Sequence, residues 1–221
     1  ELYGLQFPDR LNNLLNKLAA QGTAELVAAH IGRALDIPQR SVPTYLAALS
    51  DVFLLNQLPS WGTNLEKRAI SKPKVFLSDT ALATSLAGLD PEALEMNISS
   101  TITGGICEAF VANELLKQKA WSSIDYRLFH FRTSTGKEVD LVLESRSRDI
   151  VGVEVKAAMS IQPKDFAGLR YLQQVAGASF RAGIVLYTGK DVLPMGKNLW
   201  AMPISTLWHL SLIHISEPTR R

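Results

Sequence analysis

Cysteine is almost absent from this chain, which has one residue of that type, Cys107, among 221. A lone cysteine excludes an internal disulfide and any metal cluster built on cysteine ligands. The four histidines are scattered and have no cysteine partner, so the sequence has no zinc-site pattern. This composition is typical of a reducing compartment, and we expect a cytoplasmic protein.

Long apolar runs and several catalytic motifs are also missing. No stretch approaches the roughly 18 apolar residues that a membrane-spanning helix needs, and there is no signal-peptide pattern, so we expect no membrane partner. The serine elbow of acyl-transfer enzymes and the glycine-rich dinucleotide fingerprint do not occur. A phosphate-binding loop is absent too, because the Gly-Lys pairs precede Glu, Asp or Asn. Nucleotide binding therefore cannot be assigned to this polypeptide.

The chain has little excess charge of either sign, since it contains 23 basic and 21 acidic residues and has a net charge of +2. This balance permits contact with nucleic acid but is not a basic-patch signature. The length and a hydrophobic content of 47% predict one large or two small domains. We place a boundary near residues 88 to 103, where glycine, proline and a polar run interrupt the apolar pattern.

Two apolar segments, residues 138–144 and 151–156, predict adjacent strands. Side chains alternate between the faces of a strand, so Val139, Leu141 and Leu143 are expected on one face, opposite Asp140. In the second segment, Glu154 and Lys156 share a face and lie roughly 6.5 Å apart along the strand. If the segments pair as a hairpin, Asp140, Glu154 and Lys156 converge on one surface.

Such a surface suits metal-dependent cleavage of phosphodiesters. Neighbouring carboxylates repel each other, and a hard cation such as Mg²⁺, which prefers oxygen ligands, relieves that repulsion. A bound cation can activate water and neutralise charge on phosphate, while a lysine beside it stabilises the transition state. A half-exposed hairpin with solvated charges has the same pattern, so that alternative stays open.

A third carboxylate, Glu108, lies in a segment that predicts a helix after the Gly104-Gly105 pair. On the helical period it aligns with Val111, Ala112 and Leu115, which form an apolar stripe. A carboxylate aimed inward needs a partner, a proton or a metal ion. The alternative is that Glu108 lies near the helix N-terminus only because it interacts favourably with the dipole there.

A helix with Glu108, a strand with Asp140 and a strand with Glu154 and Lys156 together resemble the PD-(D/E)XK nuclease-like core. More narrowly, residues 10 to 208 resemble the C-terminal region of AAA-type ATP-binding proteins, the domain of unknown function 4143 family. The matching segments are residues 44–49, 72–82, 108–116, 129–132, 136–140 and 153–156. The resemblance implies catalysis by Glu108, Asp140, Glu154 and Lys156, with Mg²⁺ bound by Asp140, Glu154 and Glu108.

Family members typically carry an ATPase module before this region. We therefore interpret the chain as a fragment in which ATP would act only through a module absent here. Two hypotheses follow for the nuclease-like part. It is either a Mg²⁺-dependent nuclease or a non-catalytic module that binds nucleic acid or protein and regulates the missing ATPase.

The first part of the chain predicts three short helices, over residues 11–20, 25–35 and about 42–52, with Thr23 as the cap of the second. The trio resembles a helix-turn-helix, and residues 53–59 paired with 74–78 would supply a wing. DNA is then the expected partner, with protein docking as the alternative. The candidate contacts are Gln39, Arg40, Ser41 and Thr44 at the start of the third helix, and Arg68, Lys72 and Lys74 on the wing side.

The rest of the chain predicts a strand over residues 129–132, an amphipathic helix over 165–176 and a buried strand over 182–187. We interpret His130 as a structural hydrogen-bonding residue rather than a metal ligand. The expected fold is α/β, with a winged helix-turn-helix in residues 1–90 and a PD-(D/E)XK nuclease-like mixed-sheet domain in residues 91–210. Residues 211–221 resemble adapter read-through and are interpreted as a non-native tail.

Overall fold

A computed structural model describes residues 8–63, 72–90, 92, 94 and 100–208. The expected mixed α/β architecture is confirmed, with two sheets and helices packed against them. None of the helices in these ranges is both long and apolar enough to cross a membrane. The expected tail at 211–221, Arg68 and part of the interval near the expected domain boundary lie outside the described residues.

The first part of the chain folds into helices around a small antiparallel sheet. Its helices are α1 (Pro8–Gln21), α2 (Ala28–Leu35), α3 (Val42–Asp51) and α4 (Thr80–Leu86). Its strands are β1 (Ala24–Glu25), β2 (Leu55–Leu58) and β3 (Lys74–Leu77), with β3 in the centre. Leucines from α1 and α3, such as Leu14, Leu18 and Leu49, are buried together with Val75 and Leu77 of β3. The helical spacing of these apolar residues therefore predicts the core correctly.

Helix α2 differs from its prediction at the N-terminus. It begins at Ala28 after Val27, not at Glu25 after Thr23. The reason lies in β-pairing, because Ala24 pairs with Val75 and Glu25 pairs with Lys74. Pairing with β3 therefore makes Ala24 and Glu25 a strand, although the local apolar spacing favours a helix there.

The strand pair that we expected to form a wing is present, with Leu55 opposite Leu77 and Leu58 opposite Lys74. Every residue of β3 is buried, however, so this strand does not form an exposed wing edge. Two residues of the small sheet, Leu58 and Phe76, pack into the same apolar cluster as the long helix that follows. The sheet therefore forms part of the contact with the second half of the chain.

The second half contains a six-stranded mixed sheet between two helices. After α5 (Thr101–Gln118) come β4 (Tyr126–Arg132), β5 (Glu138–Ser145), β6 (Ile150–Lys156), α6 (Ala167–Ala176), β7 (Phe180–Tyr187), β8 (Leu193–Gly196) and β9 (Leu199–Pro203). The strand order is β4-β5-β6-β7-β9-β8, and β6, β7 and β9 run parallel. The predicted hairpin is confirmed, since β5 and β6 pair antiparallel. Strands β8 and β9 were not predicted.

A β-bulge in β5 alters the predicted division of its side chains. Opposite the two-residue step from Phe129 to Phe131, β5 takes three steps, from Val142 to Val139. Val139 consequently packs with α6, whereas Leu141 packs with α5 on the other side of the sheet. The prediction that these two residues share a face is wrong, because a bulge adds one residue and breaks the alternation.

Two glycines allow the halves of the chain to approach closely. A Cβ atom at Gly22 would lie 2.5 Å from the carbonyl carbon of Gly105 in α5, and Gly22 also has a φ of +63°. Thr23 Oγ1 donates a hydrogen bond to the Gly105 carbonyl at 3.1 Å. Farther along α5, the buried Asn113 donates to the Leu77 carbonyl of β3 at 3.0 Å. Helix α5 is therefore held directly against the small sheet.

Candidate functional site: an acid centre around a buried lysine

The four residues predicted as catalytic come together at one place. Glu108 projects from α5, Asp140 from the bulged part of β5, and Glu154 and Lys156 from β6. Asp140 Oδ2 accepts a hydrogen bond from the Val155 amide at 2.9 Å, and its carboxyl also hydrogen-bonds with that of Glu154. Lys156 Nζ lies 3.7 Å from Glu154 Oε2. We call the carboxyl groups of Glu108, Glu138, Asp140 and Glu154 the acid centre.

Lys74 of β3 lies within this acid centre. Its Nζ is 2.8 Å from Glu108 Oε1, 2.7 Å from Glu138 Oε1 and 3.7 Å from Asp140 Oδ1. The side chain is only 4% exposed, so the ammonium that we expected to reach phosphates on a wing instead faces carboxylates. The sequence contains one signal for this, because a lysine in an otherwise apolar strand requires nearby negative charge if the strand is buried.

Burial and mutual repulsion perturb the acid centre. Burial raises the pKa of Glu108 to about 8, and the Asp140 carboxylate adds to this effect while Lys74 opposes it. Burial likewise raises the pKa of Glu154, again with a contribution from Asp140. Although burial acts in the other direction, Lys74 and Arg132 hold the pKa of Glu138 below its ordinary value. Lys74 does not compensate all the negative charge, and this excess raises the affinity of Glu108 and Glu154 for protons.

For the two lysines of the site, neighbouring carboxylates have a larger effect on the pKa than burial has. Burial disfavours the charged form of Lys74, but Glu108, Asp140 and Glu138 outweigh it and raise the Lys74 pKa. The same competition raises the pKa of Lys156, through Glu154 and Asp140. Both lysines are therefore ammonium ions at neutral pH.

Local sequence positions the acid centre in two ways. The bulge in β5 brings Asp140 out of strict alternation, which is a known means of aiming a side chain at a site. Gly168 in the first turn of α6 lies so close to the sheet that a Cβ there would clash with the Glu138 carbonyl and approach Glu154 Oε1. Sequence reasoning missed Glu138 and Gly168 as parts of the site. Glu138 is within the predicted strand, but no local signal distinguishes it.

The donor chemistry fits Mg²⁺, since buried carboxylates with raised pKa values are oxygen ligands that lack sufficient positive charge. The positions of these carboxylates in the structure, however, are not those of ligands around a metal ion. Within the described ranges, no group of three His, Cys, Asp or Glu side chains is placed to hold a metal ion. Glu108, Glu138 and Asp140 are instead arranged around the Lys74 ammonium.

The residues predicted to contact DNA lie near the start of α3. Gln39, Arg40 and Ser41 form a short 3₁₀ turn before the helix, and Thr44 is in its first turn. Gln39, Arg40 and Thr44 are exposed and Ser41 is half-buried. The structure thus keeps these four together on one surface and separates Lys74 from them by burial.

His130 of β4 has the structural role that we predicted. Its Nε2 lies 3.0 Å from the Lys72 carbonyl oxygen, and its backbone pairs with Pro59 and Trp61. The imidazole is nearly completely buried, and burial lowers its pKa. It is therefore neutral and joins β4 to the chain segment before β3.

Comparisons with known proteins identify related segments. Residues 103–207 match the model described as Domain of unknown function (DUF4143), which confirms that part of the resemblance. Residues 1–93 match another model, Domain of unknown function (DUF8612). The chain is 32% identical over 178 residues to the uncharacterized protein Rv2008c of Mycobacterium tuberculosis, and equally so to the uncharacterized protein Mb2031c of Mycobacterium bovis.

Each alignment covers 79% of this chain, which spans about 37% of the length of these curated relatives. No solved structure matches the chain.

Proposed function

We propose that this chain is the nucleic-acid-binding part of a longer AAA-type ATP-binding protein. A winged helix-turn-helix in residues 1–90 binds DNA, and a PD-(D/E)XK nuclease-like domain in residues 91–210 cleaves nucleic acid with Mg²⁺. ATP would bind in a part of the protein outside this chain. One observation carries the proposal: the order α5-β4-β5-β6-α6-β7 brings Glu108, Asp140, Glu154 and Lys156 together.

Each residue then has a distinct role at the acid centre. Asp140 and Glu154, with Glu108, would hold Mg²⁺, which when bound lowers the pKa of water and neutralises charge on a phosphate oxygen. Asp140 is held in place by the Val155 amide. Lys156 is 38% exposed and borders Glu154, so its ammonium can reach a phosphate or orient a water.

The surface around α3 supports DNA binding. In a helix-turn-helix, the N-terminal end of the second helix of the motif enters the major groove, where Gln39, Arg40, Ser41 and Thr44 lie here. A polar cleft of about 450 Å³ is lined by basic and hydroxyl side chains, among them Lys72, Arg132 and Ser134, and by the carboxylate of Glu25. Arg132 also contacts Glu138 of the acid centre, so the cleft is a suitable path for a phosphate backbone toward that centre.

Plasmid cleavage tests the proposed nuclease. The chain should cut supercoiled and linear plasmid with Mg²⁺ or Mn²⁺ but not with EDTA, and Asp140→Ala and Lys156→Ala should each abolish cutting. Asp149→Asn is the matched control, because that half-exposed carboxylate pairs with Arg181 and not with the acid centre. Cutting that persists in Asp140→Ala would attribute the activity to another site or to a contaminant.

A second candidate is a non-catalytic module that binds nucleic acid or protein and regulates the ATPase. The observation that favours it is the Lys74 ammonium among the carboxylates. In that case a folded chain would bind DNA without cutting it under any metal condition. Loss of binding in Arg40→Ala, without any cleavage by the parent chain, would support this candidate over the nuclease.

A further inference from the structure

We infer that Lys74 is the resident cation of the acid centre and that a divalent metal ion binds there only in competition with its ammonium. The inference rests on the proposed function in one respect, because it takes Glu108 and Asp140 as metal ligands. It adds that a residue of the small sheet, Lys74, supplies the positive charge that neutralises these carboxylates when no metal ion is bound.

The first support is the position of the ammonium. Lys74 Nζ lies within 2.8 Å of two carboxylates, on α5 and β5, and 3.7 Å from a third, Asp140. An ammonium has three donors, and here three acidic side chains surround them. A cation that bridged Glu108 Oε1 and Asp140 Oδ1 would occupy the volume of this nitrogen, because both oxygens already approach it.

The second support is how firmly Lys74 is held. Its backbone lies in the central strand of the small sheet, opposite Glu25 on one side and Leu58 on the other. The other end of the same strand is also held, because Asn113 of α5 donates a hydrogen bond to the Leu77 carbonyl. The backbone of Lys74 therefore stays at the acid centre while β3 pairs with both neighbours, and a metal ion can displace the ammonium only if the side chain turns away.

The third support is the charge balance. Four carboxyl groups, those of Glu108, Glu138, Asp140 and Glu154, contact one another or the two ammonium groups of Lys74 and Lys156. Lys156 forms its ion pair with Glu154, with 3.7 Å between Nζ and Oε2. Removal of Lys74 would leave three neighbouring carboxylates without their ammonium, which is the condition under which carboxylates bind a divalent cation.

Manganese binding to Lys74→Met tests this inference. Methionine keeps the length and apolar stem of the side chain but removes its charge. Mn²⁺ should bind the variant at least about tenfold more tightly than the parent chain, since one positive charge has been removed from a buried site. Isothermal titration calorimetry and the increase in melting temperature with added Mn²⁺ measure this without any nuclease assay.

Three further variants make the result specific. Lys117→Met removes an exposed lysine from α5 and should leave Mn²⁺ affinity unchanged. Lys74→Arg retains a positive charge and should gain no Mn²⁺ affinity. The double variant Lys74→Met with Asp140→Asn should lose the affinity that Lys74→Met gains.

Each outcome decides the matter. If Lys74→Met is unfolded in EDTA, Mn²⁺ should restore its melting transition, and failure to do so would overturn the inference. A parent chain that binds Mn²⁺ as tightly as folded Lys74→Met would also overturn it, even if that chain cuts DNA. Conversely, Mn²⁺ binding by Lys74→Met without cleavage by either protein would contradict the nuclease proposal and leave this inference intact.

Discussion

Lys74 and Glu108 form a buried ion pair, with 2.8 Å between Nζ and Oε1, across 34 residues of chain. Lys74 belongs to the small sheet of the first half and Glu108 to the helix that opens the second half. The pair therefore links the packing of the two halves to the charge state of the acid centre. A substitution at Lys74 in the first half should alter the charge state of Glu108 in the second half, and a substitution at Glu108 should alter that of Lys74.

The energetic coupling of this pair should be large. Lys74→Ala should lower the free energy of unfolding by about 3–5 kcal/mol, because it leaves buried carboxylates without their ammonium. In a double-mutant cycle with Glu108→Gln, measured by urea unfolding, we expect a coupling energy of about 1–3 kcal/mol.

The pair Lys117–Glu114 on the same helix is the matched control for that cycle. Its atoms are 2.7 Å apart, but Lys117 is 59% exposed. Solvent screening should limit its coupling to about 0.5 kcal/mol. Equal coupling energies for the two pairs would show that burial does not strengthen the Lys74 interaction.

The adjacent glycines of α5 should respond oppositely to alanine. At Gly105 a Cβ would lie 3.0 Å from the Gln21 carbonyl oxygen and 3.2 Å from Gly22 Cα, so Gly105→Ala should destabilise the protein by about 1–3 kcal/mol. At Gly104 a Cβ meets no atom within 4 Å. Gly104→Ala should stabilise the helix by about 0.5–1 kcal/mol, because alanine has the higher helix propensity.

Thermal and urea unfolding of the two alanine variants provide the measurement. Similar effects of both substitutions would mean that the close contact between Gly22 and α5 is absent in solution.

Stability should depend on the protonation of His130. Burial lowers its pKa, as does Lys74, while the Lys72 carbonyl, Glu25 and Glu138 act in the other direction. The unfolded chain, with an ordinary histidine pKa near 6.5, therefore binds more protons than the folded chain at lower pH. This contribution to stability is present above about pH 6.5 and is lost as the pH falls through the folded-state pKa.

Replacement of the imidazole isolates that contribution. His130→Gln keeps an amide that can bond to the Lys72 carbonyl, and it should lose less stability than the parent chain between about pH 7 and pH 5. His30→Gln, at an exposed position, should follow the parent chain. Parallel stability curves for all three proteins, measured by urea unfolding across this range, would contradict a buried neutral His130.

DNA binding should depend on Arg40. If α3 enters the major groove, Arg40→Ala should weaken binding to duplex DNA by about 1–3 kcal/mol, and it should reduce the salt dependence by about one ion if the contact is a phosphate. Fluorescence anisotropy at several salt concentrations measures both quantities. Arg146→Ala removes an arginine of equal charge that pairs with Asp125, and it should leave affinity unchanged. Equal losses from both variants would indicate non-specific electrostatic attraction.

Local patterns predicted much of the fold. The apolar spacing of Leu14 and Leu18 predicts α1, and the alternation in residues 151–156 predicts β6, because these signals repeat within a few residues. Strands β8 and β9 were not predicted because both are short, β9 pairs with the more distant β7, and the pairing of β8 with β9 contains a register shift. The bulge in β5 was missed for a related reason, since only the opposing strand reveals that one residue is extra.

The sequence by itself determined the order of the elements that carry the acid centre and the types of donor atoms there, because strand alternation and helical period place Glu108, Glu154 and Lys156 locally. Only the tertiary structure decided which cation neutralises them. Lys74 appears in the sequence as a lysine at the start of a short apolar strand, which requires nearby carboxylates only if that strand is buried, and the local sequence does not decide its burial. The choice is made by packing of the small sheet against α5, which removes the ammonium from water and requires carboxylates around it.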